Sequence, residues 1–293
     1  MKTVANRTGL KPALVRAWER RYGAVVPFRT ETNRRVYSES DIQRLQLLHR
    51  VTEVGHPIRL VARLSEEELT ALLDPTTRRA EDLTHDVMQA MHAISDFDEK
   101  RLRHSLDEAA VALGRVAYLE QFLSPMLHAI GNSWARGTMR PAHEHFAAVA
   151  VTQQLIRLQG IHKPVHGPVM VIGTLSGQQH ELGALMAAVI ASDAGWDVSY
   201  CGPNLPAEEI AAFARARHAS AVAISLVYPD GDLRIADSLR VLRRCLDEST
   251  ALILGGRAAP SYLEMLAGTD CHHIANLPRF LTFLQTIQHS VSC

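Results

Sequence analysis

Val169-Met170-Val171-Ile172-Gly173-Thr174, followed at once by Leu175-Ser176-Gly177-Gln178-Gln179-His180-Glu181-Leu182-Gly183, is a short apolar run, a polar turn and the opening of a helical pattern. The run predicts a strand, and the helix beginning near Glu181 is ended by Gly195. The alternation then continues. Residues 196–200 read as a strand, 208–218 as a helix, 221–226 as a strand, 233–245 as a helix and 251–256 as a fourth strand. Residues 258–266 continue as a helix, His273-Ile274 starts a fifth strand, and 278–288 is the last helix. Strand and helix in this order predict a Rossmann-like, doubly wound parallel sheet over residues 165–293, with ligands at the carboxyl ends of its strands.

Upstream the period changes. Residues 78–160 carry helical spacing and no strand signal: Leu83, Val87, Met91 and Ile94 share one face, and Leu102, Leu106, Ala109 and Leu113 another. Residues 118–130 and 141–158 add a third and a fourth helix, the last with Phe146, Val149, Gln153 and Ile156 in step, which makes a four-helix bundle by count and length. Residues 1–75 form a separate head. Leu14 and Trp18 face a core from one helix, which Gly23 and Pro27 close. Residues 33–37 read as an extended or turn segment. Ser38 or Ser40 caps a helix bearing Ile42, Leu45, Leu48 and Val51, closed by Gly55 and Pro57, and Asp74-Pro75-Thr76-Thr77 is a linker.

The 293 residues hold 31 Lys+Arg and 31 Asp+Glu, but the balance is uneven. Residues 1–64 hold 13 basic and 5 acidic side chains, a net +8, which leaves a net −8 on the remainder. A basic head on an acidic trunk points to a polyanion partner for the head alone and excludes a wholly cationic or acidic chain. Hydrophobic content of 47% with 21% charged residues excludes large-scale disorder. No apolar run is long enough for a membrane span and the N-terminus leads into no signal-peptide core, so a cytoplasmic protein is expected. Cys201, Cys245, Cys271 and Cys293 are scattered without CxxC spacing, which argues against a disulfide framework or a thiolate zinc site.

In the head, Arg16, Arg20 and Arg21 lie on one helix, and Arg34-Arg35 sits in a turn able to form a wing, the supply of cations that phosphate contact needs. Trp18 reads as core, and with Tyr37 it joins these arginines in the constellation assigned to DNA. Leu14-Val15-Arg16-Ala17-Trp18-Glu19-Arg20-Arg21-Tyr22-Gly23, then Pro27, Arg29-Thr30, Arg34 or Arg35, Tyr37-Ser38 and Asp41, resembles the MerR family of transcription regulators. The resemblance implies a winged helix-turn-helix on a double-stranded DNA operator. Asn33 stands where that family often has a wing glycine.

In the trunk, His180 lies at the mouth of a parallel strand just before a helix, placed to present a ring nitrogen. A satisfied polar residue is the plainer reading of such a histidine taken alone. Together, His180-x-x-Gly183, Ser225-x-Val227 and Gly255-Gly256 resemble the cobalamin-binding domain of methionine synthase and the methylmalonyl mutases. The resemblance implies that His180 is the lower axial cobalt ligand and that Gly183, Ser225, Val227, Gly255 and Gly256 line the cofactor's nucleotide tail. That family has Asp or Glu two residues before the histidine. Here Gln178 stands there, an amide able to orient the ring but a weaker support for its basicity. Glu181 reads as solvent-exposed or as a first-turn dipole partner.

Trp134 and the pair Glu144-His145, nine residues further on, read either as a bundle plug with first-turn charges or as a cap. With head, bundle and sheet in this order, the whole chain resembles the CarH- and LitR-type light-responsive repressors. That resemblance implies adenosylcobalamin, with Trp134, Glu144 and His145 on its upper group, and a homo-oligomer, dimer or tetramer, that leaves DNA on illumination. Ala135 departs from the pattern, which commonly has a histidine there. A non-enzymatic regulator is expected. A corrinoid carrier in methyl transfer and a ligand-independent repressor whose trunk only oligomerises are the alternatives.

Overall fold

The structure, a computed structural model, describes residues 2–30, 35–53, 56, 58–73, 80–160 and 167–291. The expected linker at 74–77, together with Asn33, Arg34, Gly55, Pro57 and Cys293, lies outside the described residues. The chain divides into two compact units, Met1–Ala147 and Ala148–Cys293.

The first unit begins with α1 (Lys2–Thr8) and α2 (Pro12–Tyr22). Pro12 starts α2 where no backbone donor is needed, and Gly23 ends it in the left-handed conformation with its N–H on the Glu19 carbonyl at 3.1 Å. A two-residue wing follows, β1 (Phe28–Arg29) antiparallel to β2 (Arg35–Val36), with Phe28 opposite Val36 and Arg29 opposite Arg35. Ser38 is the residue that starts α3 (Glu39–Glu53): its Oγ accepts the Asp41 N–H at 3.1 Å while Asp41 Oδ2 accepts the Ser38 N–H at 2.8 Å. The short helices α4 (Ile58–Val61) and α5 (Glu66–Ala71) complete the head. Val15, Trp18, Leu45, Leu48, Val51, Val61 and Leu69 form its core, so the described residues of the head are short helices packed together beside a two-stranded wing.

The bundle comprises α6 (Ala80–Ser95), α7 (Glu99–Leu113), α8 (Arg115–Ala117), α9 (Ser124–Ala135) and α10 (Pro141–Gln159), with a π-helical turn at Tyr118–Leu123 joining α8 to α9. Pro125 supplies no N–H to the turn before it, which accounts for the widening there. Helix α6 packs on α7 and α9. His56, 3% exposed, lies where the head meets α7, near the backbone of Val111 and of Leu72, and its Nδ1 has no hydrogen-bond partner among the described residues. Helix α10 runs across the boundary of the two units.

The second unit contains β3 (Val169–Gly173), α11 (Leu182–Asp193), β4 (Asp197–Tyr200), α12 (Ala207–Ala216), β5 (Ala221–Ser225), α13 (Leu233–Cys245), β6 (Ala251–Gly255), β7 (His272–His273) and α14 (Leu277–Val291). All five strands are parallel in the order β4-β3-β5-β6-β7, a doubly wound sheet. Helices α11 and α14 pack together, as do α12 and α13. The sheet order reverses between β3 and β5, the strands that carry His180 and Ser225 at their mouths, and such switch points are where ligands bind. Two elements differ from the expectation. Residues 258–266 form a single 3-10 turn at Ala259–Tyr262, because Pro260 removes a helical donor and Ser261 turns both its N–H and its hydroxyl onto the Ala258 carbonyl. The fifth strand is His272–His273 instead of starting at His273. Among the described residues no helix is long and apolar enough to cross a membrane.

Candidate functional site

The loop after β3 is held from beneath. Thr174 Oγ1 donates to the Gln178 carbonyl at 2.5 Å and accepts the Asn204 N–H at 2.9 Å, and Asn204 Oδ1 accepts the Gly177 N–H at 2.8 Å. Thr174 and Gln178 are fully buried. The bracing delivers His180 to the surface at the carboxyl edge of the sheet, where it hydrogen-bonds to no described residue and meets Tyr228 edge-on, with ring centroids 6.5 Å apart. Neither imidazole nitrogen is committed to a described residue, so one is free to ligate and the other free to take a supporting acceptor.

Beside His180 runs a seam without side-chain bulk. A Cβ on Gly183 would lie 2.8 Å from Ser225 Oγ, so only glycine lets the N-terminus of α11 approach β5 this closely. Gly256, at φ +95°, passes so near the Leu226 backbone that a Cβ there would overlap its carbonyl oxygen. Gly255 pairs with Ser225 across β6 and β5, and Val227 follows half-buried. An exposed nitrogen donor next to a seam of small residues at the switch point fits a corrinoid. His180, Gly183, Ser225, Val227, Gly255 and Gly256 thus gather along one edge.

Gln178 corrects the expectation for it. Its Oε1 accepts the N–H of Val227 at 3.0 Å and of Tyr228 at 3.3 Å, so its acceptor is engaged by the loop after β5 and not by the imidazole. Glu181 is likewise not simply solvated: Tyr200 Oη donates to it at 2.5 Å, and burial together with that bond raises the Tyr200 pKa well above its ordinary value.

In the first unit, Trp134 is 57% exposed near the end of α9, which excludes the plug reading. Glu144 is half-buried in the first turn of α10, and His145 is exposed with Nδ1 3.0 Å from the Pro141 carbonyl. Ala135 ends α9. His143 is stacked on Phe97, centroids 4.2 Å apart, and its Nδ1 accepts the Arg140 N–H. His128, one heptad before Ala135 on the same face, has Nδ1 2.7 Å from the Ser124 carbonyl.

The head separates its cations into two groups. Arg16, Arg20 and Arg21 are exposed on α2 and form no side-chain hydrogen bond or ion pair with a described residue. Arg35 instead donates through Nε to Glu19 Oε2 at 2.7 Å, Tyr37 Oη donates to the same oxygen at 3.3 Å, and Arg29 Nη2 lies 3.6 Å from Glu19 Oε1. Desolvation first, then Glu19, pushes the Tyr37 phenol up to about 12. Trp18 is 4% exposed and lies in the head core, so it supports the helix and does not reach a ligand. Arg34 is outside the described residues. Sequence reasoning missed Glu19 and Tyr228. Glu19 is an acid inside an arginine cluster, a signal that was present; Tyr228 shows only as an aromatic beside Pro229.

Three family models match: MerR HTH family regulatory protein over residues 1–68, and two B12 binding domain models, over 87–159 and 168–274. The chain is 30% identical over 272 residues to the HTH-type transcriptional repressor CarH of Myxococcus xanthus, covering 88% of each chain. It is 28% identical over 279 residues to the HTH-type transcriptional repressor CarA of the same organism, covering 91% of this chain and 89% of that one. Among solved structures, a monomethylamine corrinoid protein of Methanosarcina barkeri matches 68% of this chain and 96% of its own with a TM-score of 0.51 at 15% identity, a likeness of fold.

Proposed function

Because the chain belongs to the MerR-type HTH transcriptional repressors that carry B12-binding domains, we propose that it represses transcription as a cobalamin-dependent, light-responsive homo-oligomer in the cytoplasm. The observation that carries this reading is the uncommitted imidazole of His180 beside the Gly183–Ser225 seam, in a chain whose head presents free arginines. His180 would hold the cofactor's metal, and Gly183, Ser225, Val227, Gly255 and Gly256 would receive its tail. Trp134, an exposed indole, with Glu144 and His145, would receive the cofactor's other substituent. Bound adenosylcobalamin supplies a cobalt–carbon bond that light cleaves. Trp134, exposed near the end of α9, would link occupancy of the site to the way the bundle presents itself to a second copy. Several heads joined in one oligomer gain avidity on repeated operator sites. Arg16, Arg20 and Arg21 contact phosphate. The methyl-carrier alternative gives the basic head no task.

The test is an absorption spectrum of the full chain reconstituted with adenosylcobalamin in darkness and repeated after green light. A bound spectrum that changes irreversibly on illumination supports the reading, and a chain that takes up no corrinoid refutes it. His180→Ala is expected to weaken uptake and remove the axial-nitrogen features.

A further inference from the structure

The Gln178 acceptor is taken by Val227 and Tyr228, so it is not the group that orients His180. The amide of Gln178 has one acceptor, and two backbone N–H groups meet it. Those donors fix which end of the amide faces them, leaving Nε2, a donor only, at the other end, buried and without a hydrogen-bond partner among the described residues. A neutral imidazole that ligates through one nitrogen carries a proton on the other, and a donor cannot receive it. Gln178 is therefore unable to play the part of the carboxylate that usually precedes such a histidine.

One of the two N–H groups on Gln178 belongs to Tyr228, and the Tyr228 ring is the aromatic neighbour of His180, at an interplanar angle of 77°. Edge-on contact at 6.5 Å is within the range in which aromatic pairs attract. The loop is held on its other side as well, because Arg257 Nη2 donates to the Val227 carbonyl at 2.9 Å and Arg257 lies 3.8 Å from Asp230. We propose that Tyr228 is a positioning residue for His180, and that Gln178 acts through it by clamping the Val227–Tyr228 backbone. An exposed histidine otherwise samples several rotamers and loses that freedom on ligation; the Tyr228 ring narrows the choice beforehand. This inference rests on the B12 reading for the ligand and on the hydrogen bonds alone for the clamp.

Two measurements on the full chain keep these apart. In the first, hydroxocobalamin is titrated into wild type, Tyr228→Ala and Tyr228→Phe. Tyr228 is exposed, so its removal does not threaten the fold. Tyr228→Ala is expected to bind about threefold to tenfold more weakly, with a larger share of the axial-nitrogen-free spectrum, and Tyr228→Phe to recover most of the loss. Wild-type affinity and spectrum in Tyr228→Ala, or a Tyr228→Phe as defective as Tyr228→Ala, overturns the proposal. In the second, amide hydrogen exchange is followed in the corrinoid-free chain. Gln178→Leu is expected to speed exchange at Val227 and Tyr228 about tenfold or more, whereas Gln178→Glu, which keeps the acceptor, preserves protection. Unchanged exchange in Gln178→Leu overturns the clamp. A wild type that binds no hydroxocobalamin refutes the B12 reading and the positioning of His180, while the exchange result still decides the clamp.

Discussion

A single carboxylate organises the wing of the head. Glu19 gathers Arg35, Arg29 and Tyr37, which are brought to it from residues well apart in the chain. Arg35 is thereby held against α2, whereas Arg16, Arg20 and Arg21 of α2 are left without a side-chain partner among the described residues. Arg16→Ala or Arg20→Ala is expected to weaken operator binding and to lower the slope of log affinity against log salt by about 1, with corrinoid uptake unchanged; an electrophoretic salt series measures this. Tyr37 gives a second expectation. A phenol raised in the folded state to about 12 from 10.0 stabilises fully below 10 and loses that contribution as pH rises toward 12. The stability difference between wild type and Tyr37→Phe should shrink over that interval in alkaline urea titrations, and shrink less when Glu19→Gln has removed one cause of the shift. The arginines of α2 could be read from spacing. The Glu19 cluster could not, because its partners lie 16 and 18 residues away and meet only when the wing folds back.

At the scale of elements, the approach of α11 to β5 depends on a glycine facing a serine. Gly183→Ala is expected to cost about 1–3 kcal/mol through overpacking, read as a lower urea midpoint. Ser225→Ala removes the oxygen in its way and leaves a Cβ-to-Cβ spacing of 3.9 Å, an ordinary contact. The double variant should therefore be more stable than Gly183→Ala alone, a non-additivity that a thermodynamic cycle measures. The junction of head and α7 carries a pH dependence. Burial lowers the His56 pKa from 6.5, so its contribution is present above 6.5 and is lost as pH falls through the lower folded value. Thermal unfolding of wild type should decline on acidification below 6.5 more steeply than that of His56→Phe. Helices were legible from the 3.6-residue apolar period, and strands as short continuous apolar runs, because parallel strands such as β5 are buried along their whole length. The segment at 258–266 was misread because its apolar spacing imitates a helix that Pro260 prevents. The clamp on the β5 loop was illegible, since Gln178 and its two donors are 49 and 50 residues apart.

On the scale of the whole molecule, one chain carries a MerR HTH domain and B12-binding domains, with the cationic helix α2 proposed for the polyanion and the imidazole at the sheet's switch point for the corrinoid. Neither has a use for the other unless they are coupled, and the family's order of head, bundle and sheet is what the coupling proposal builds on. Coupling is a free energy, so cofactor uptake must change DNA affinity by as much as DNA changes cofactor affinity. The direct test is the affinity of the full chain for a duplex selected from random sequence, measured in darkness with and without adenosylcobalamin, for wild type and His180→Ala. The account expects adenosylcobalamin to tighten DNA binding by wild type and to leave His180→Ala unmoved. Equal DNA affinity of wild type with and without the cofactor would contradict it.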